Sequence, residues 1–212
     1  MGDPWDNARN MNSGFRMRRY SATEIRDLTI AILVLSVAFL IILGDSRLYP
    51  NNVVNYLALF GISLVLVLTS FMLHELAHKI VAQRYGAWAE FRMYPFGLLI
   101  ALVFSTMGFL FAAPGAVYID GAIDEERNGK ISAAGPMVNI IIGSIATLMW
   151  FMTDGLTSQI FGLFALLNAF FAAFNLLPIA PMDGSKIYGW NMPLYIGMFA
   201  VAAALLILQF LY

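Results

Sequence analysis

Long apolar runs separated by short polar stretches pattern this chain. Leu28 to Leu43 carries no charge, and Val53 to Ala82 carries none before Glu75. Ile131 to Met152, Ser158 to Leu177 and Pro193 to Tyr212 repeat the pattern. Each run approaches or exceeds the roughly 20 apolar residues that cross a bilayer as a helix, the first being rather short. Ser21 and Glu24 fit a capping box opening the first span, and no small-residue cleavage site follows it, so it reads as an anchor. Tyr212 is placed as an interfacial anchor at the end of the last.

Residues 87–119 break the rhythm. Ala87 to Tyr94 and Gly115 to Ile119 mix polar and aromatic residues in a strand-like way, and between them Phe96 to Ala113 is apolar enough to span. A full crossing would put Asp183 on the opposite face from His74 and would move Arg127, Lys130 and Lys186 to the side of Arg47. If the segment instead returns, every Lys and Arg except Arg47 falls on one side, which the positive-inside rule favours. The expected fold is therefore an α-helical polytopic membrane protein. It has about five full transmembrane helices and a re-entrant segment with short β-strands between the second and third. Irregular backbone at that depth must be buried in protein or line a wet cavity. A polar arm, residues 1–27, with Arg9, Arg16, Arg18, Arg19 and Arg26, is expected in the cytosol of a cell-membrane protein. A single membrane domain, residues 28–212, follows it.

Composition sharpens this. Hydrophobic residues make up 60% and charged residues 12%, against about 25% charged in a soluble domain. The net charge of −1 says nothing about nucleic acid, and no basic stripe supports such a partner, so none is expected and the surroundings are the lipid bilayer. With no cysteine in the chain, any metal must be held by histidine and carboxylate.

Both histidines of the chain lie in M-L-H-E-L-A-H-K, Met72 to Lys79. Helical geometry stacks His74 and His78 on one face, the spacing at which two imidazoles share one metal. Glu75 is offset from that line, as suits a general base beside the metal. Retaining these three groups for packing alone would cost several kcal/mol per unpaired buried group (about 2–7), and ionisable residues within a membrane are functional by default. Further on, Gly135, Asn139 and Gly143 form a small-residue stripe that lets helices approach, with Asn139 available to hydrogen-bond across helices. The fourth span ends in N-L-L-P-I-A-P-M-D-G, Asn175 to Gly184. Pro178 and Pro181 break the helix there. Asp183 is the only charge from Gly155 to Ser185, so it is either a turn residue or the missing metal ligand.

Three stretches, H-E-L-A-H, A-G-P-M-V-N and N-L-L-P-I-A-P-M-D-G, together resemble the site-2 protease family of intramembrane zinc metalloproteases. The likeness is to compact prokaryotic and archaeal members without a PDZ or CBS domain, and it covers residues 53–190. The resemblance implies that His74, His78 and Asp183 bind zinc and that Glu75 is the catalytic base. It also implies that Asn175 holds the substrate or stabilises the oxyanion. The substrate is then a transmembrane protein cut within or near its membrane segment, as in regulated intramembrane proteolysis, at a site facing the cytosol. In such enzymes a re-entrant β-loop pairs with the substrate; here the apolar insert Phe96 to Ala113 is longer than in compact members. The first and last spans, which carry no motif residues, are expected to gate water entry. Two rivals use the same cluster. A zincin with a glutamate as third ligand has only Glu125 and Glu126 to offer, both in a polar loop. A metal transporter would use His74, His78 and Asp183 as a transit site, but it shows no internal repeat and leaves Glu75 without a purpose.

Overall fold

The computed structural model describes residues 20–44, 55–110 and 113–211. Arg9, Arg16, Arg18 and Arg19 of the arm, Arg47 of the first loop, and Tyr212 lie outside the described residues.

Helix α1 (Ala22–Leu43) starts inside the stretch expected to be a polar arm. Ser21 caps it by accepting the Glu24 backbone N–H at 3.1 Å. The reciprocal half of the expected capping box is not made, because the Glu24 carboxylate is engaged by Lys79 and by the Phe91 N–H. Helix α2 (Tyr56–Arg84) is continuous over 29 residues. It contains a π-helical turn, Leu68–Met72, just before the histidines, a local widening that recurs at functional sites.

Two strands follow, β1 (Trp88–Met93) and β2 (Gly115–Asp120), paired antiparallel from Trp88↔Asp120 to Met93↔Gly115. Between them α3 (Pro95–Ser105) has 11 residues. At 1.5 Å per residue it is about 17 Å long, too short for a hydrocarbon core of about 30 Å. Because Met93 and Gly115 are partners, the excursion returns to where it left, as expected of a re-entrant segment. The apolar run is not one continuous element: the helix ends at Ser105 and a turn follows.

Helix α4 (Glu125–Met152) is capped by Asp124, which accepts the Arg127 N–H at 2.8 Å. It begins six residues before the apolar run and continues through Pro136. It is the central helix, with 56% of its apolar window buried against 22–33% for the other four long helices. Helix α5 (Gly155–Asn175) stops just ahead of the two prolines. A turn then leads to a short helix not expected from the sequence, α6 (Asp183–Trp190), and to α7 (Met192–Leu211). Five helices are long and apolar enough to cross a membrane. Their outward faces carry large apolar side chains such as Leu57, Leu156 and Phe210, the surface of a chain whose solvent is lipid.

The interior has two main apolar clusters. Leu28, Leu35, Phe71, Phe91 and Leu98 join α1, α2, β1 and α3. Ile140, Ala169, Leu176, Ile187 and Met198 join α4, α5, α6 and α7. His74, His78 and Asn139 lie where α2 packs against α4.

Candidate metal centre

The chain of hydrogen bonds that sets the imidazoles begins at a backbone carbonyl. Asn139, fully buried on α4, donates from Nδ2 to the Ser70 carbonyl at 2.8 Å and to Asn168 Oδ1 at 2.9 Å. A carbonyl only accepts, so Asn139 must turn its Oδ1 toward His74, where it accepts from Nδ1 at 2.5 Å. His78 likewise donates from Nδ1 to the Ile131 carbonyl at 2.8 Å. Each ring therefore carries its proton on Nδ1, which leaves the Nε2 lone pair free.

Those two Nε2 atoms are 3.0 Å apart. The third group to reach them is Asp183, at the first turn of α6, whose Oδ2 lies 3.1 Å from His78 Nε2 and 3.5 Å from His74 Nε2. Three lone-pair donors thus converge on one point and repel each other unless a cation lies between them. Tetrahedral zinc, with bonds of about 2.0–2.1 Å, sets its ligands about 3.3 Å apart, and the observed 3.0, 3.1 and 3.5 Å bracket that edge. The donor set fits zinc.

Local sequence explains why these groups can meet. A Cβ on Gly135 would overlap His78 Nε2 and lie 2.6 Å from His74 Nε2. The glycine leaves α4 room to pass directly over the imidazoles. A Cβ on Gly184 would strike the Leu176 carbonyl and lie 2.6 Å from the Leu177 carbonyl. Only glycine lets α6 start against the end of α5, and this places Asp183.

The donors open into a cavity of about 340 Å³. Glu75 lines it, as does Val117 of β2. Asn175 lines it as well, with one amide N–H donated to its own helix at Phe171 O, 2.9 Å. All five residues singled out from sequence therefore share one cavity. Among the described residues neither α1 nor α7, the expected gates, lines it; β2, α5 and the turn before α6 do.

Three features go beyond what the sequence shows. The stripe of Gly135 and Asn139 predicts close packing and a cross-helix hydrogen bond, but not that both residues face the imidazoles. Lys79, in the sequence one of the charges on the basic side, is 2% exposed and paired with Glu24, itself fully buried. Glu24 also accepts the Phe91 N–H at 3.1 Å, and Asp27 the Met93 N–H at 3.4 Å, so α1 occupies the outer edge of β1. The adjacency of Glu24 and Asp27 to an apolar run was the available signal.

A polytopic helical membrane protein with this donor set beside a helical glutamate falls in the class of zinc-dependent metalloproteases. Curated relatives carry that class further. A protein of Methanocaldococcus jannaschii named "Putative zinc metalloprotease MJ0611" is 40% identical over 177 residues, covering 82% of this chain and 87% of that one. "Zinc metalloprotease MJ0392" of the same organism is 28% identical over 174 residues, 77% of this chain and 42% of its own. "Putative zinc metalloprotease YwhC" of Bacillus subtilis is 30% identical over 163 residues, 66% of this chain and 70% of its own. The chain belongs to the site-2 protease family. No family model matches it, and no solved structure does.

Proposed function

We propose that this protein is an intramembrane zinc metalloprotease that hydrolyses peptide bonds within or next to transmembrane segments. The carrying observation is the convergence of His74, His78 and Asp183 on one point, in a cavity that Glu75 shares, within a bundle of apolar helices. The membrane-embedded domain takes in all of α1 and so starts at Ala22 rather than at residue 28. The prevailing placement of Lys and Arg supports a cytosol-facing site in a cell membrane.

Held by His74, His78 and Asp183, zinc supplies a Lewis acid that polarises a peptide carbonyl and brings the pKa of water toward about 7. Glu75 accepts the proton of the attacking water and delivers it to the departing amine. Asn175 has a second amide N–H and its Oδ1 free to hold the peptide or its oxyanion.

A helical substrate shields its carbonyls in its own hydrogen bonds and must unwind before hydrolysis. A strand edge replaces those bonds, and the edge on offer is that of β2. Phe91 and Met93 direct their N–H groups away from β2 to α1. By antiparallel alternation, the opposite residues Gly115, Val117 and Ile119 turn their main-chain groups outward, and all three line the cavity. The test is reconstitution of purified protein with a single-span substrate. Glu75→Gln should keep its zinc and lose cleavage, while Asp183→Ala should lose both. Undiminished proteolysis by the Glu75 variant overturns the proposal, and metal flux across the vesicle in its place favours a transporter.

A further inference from the structure

Resting on zinc held by His74, His78 and Asp183, we infer that Lys186 is a positioning residue that restricts Asp183 to one coordinating oxygen. The two carboxylate oxygens of Asp183 face different partners. Oδ2 meets the imidazoles at 3.1 and 3.5 Å, whereas Oδ1 faces Lys186 Nζ at 3.8 Å. Three residues apart on α6, Asp183 and Lys186 share a helix face, and both line the cavity, where among the described residues Lys186 is the only lysine or arginine. Helix α6 itself is anchored beside them: Ile187 is fully buried, and Gly184 rests on the Leu176 and Leu177 carbonyls. The Lys186 side chain, 41% exposed, therefore reaches Oδ1 from the open side of the cavity.

Helix stability does not account for a lysine there. A cation in the first turn opposes the positive end of the helix dipole. Among the described residues its one ionic partner is Asp183. The chemistry of the site does account for it. A catalytic zinc keeps three protein ligands and one open position, and a carboxylate with a free second oxygen can swing to bind through both and fill that position. An ammonium drawn to Oδ1 opposes the swing, as groups behind metal ligands commonly do.

The experiment loads the purified full-length protein with Co2+ and records its ligand-field absorption, alongside turnover of the reconstituted substrate. Lys186→Met should still take up Co2+, but with the weaker absorption of a five-coordinate ion, and kcat should fall about 10-fold with KM unchanged. Lys186→Arg should restore both. Lys186→Gln, closer in polarity, should reproduce the methionine result and guards against a folding defect. A wild-type Co2+ spectrum in both Lys186→Met and Lys186→Gln overturns the inference while leaving the metal site intact. Failure of the underlying site shows differently: the parent protein and His74→Ala would then take up Co2+ alike, whatever stands at position 186.

Discussion

Adding a single methyl group at Gly135 tests whether α4 is shaped around the metal ligands or merely packed against them. The Cβ of Gly135→Ala would lie 2.6 Å from His74 Nε2 and 2.7 Å from its Cε1, and nearer still to His78 Nε2. Tight contact ends near 3.4 Å, so His74 must retreat by 3.4 − 2.6 = 0.8 Å. Ligand distances in a metal site tolerate about ±0.2 Å. Neither ring can retreat freely, since Asn139 and the Ile131 carbonyl hold their far nitrogens at 2.5 and 2.8 Å. Zinc affinity should drop on the order of 100-fold, the upper end of what changes behind a ligand cost. Gly143→Ala is the matched control, because there the Cβ meets its neighbours at an ordinary 3.5 Å. Metal content by mass spectrometry, chelator competition and thermal unfolding in detergent should show both variants folded and only the Gly143 variant loaded. A Gly135→Ala protein that binds zinc as tightly as its parent refutes the reasoning.

Four further outcomes are expected. Asn139→Ala removes the acceptor that orients His74 and should weaken zinc binding about 10- to 100-fold in the same chelator assay; an unchanged affinity would reduce Asn139 to packing. Glu24→Gln should lower stability by about 3–5 kcal/mol by leaving Lys79 charged and buried, read as detergent unfolding, and the added Lys79→Met should recover much of it. Ile119→Pro deletes an outward N–H from β2, at an edge where proline is tolerated, and should abolish cleavage of a transmembrane substrate while zinc content stays at the parent level. Zinc affinity should decline as pH is lowered, because protons compete for the nitrogens that must be bare to bind metal; a flat profile in titration calorimetry would contradict the ligand assignment.

The sequence by itself determined whatever is local or expensive. Five spans and their order follow from the length of apolar runs, and the His74–His78 pair from helical spacing. Asp183 stood out because a lone charge in an apolar stretch needs a partner. Even the return of residues 87–119 was legible, since charge placement penalised the alternative. Tertiary structure alone decided the rest. Gly135 and Gly143 occupy equivalent places in one stripe, yet one faces two imidazoles and the other faces Ala169 and Asn168. No local pattern separates them, because the difference is made by a helix more than 50 residues away in the chain, as His78 and Ile131 show. Glu24 and Lys79 each satisfy a nearby rule, a cap and a place on the basic side, but their burial in one pair depends on α1 and α2 packing side by side. The same packing covers the edge of β1 and leaves that of β2 open. A strand's hydrogen-bonding groups belong to its backbone, so which edge is free is written in the neighbours that the fold brings to it.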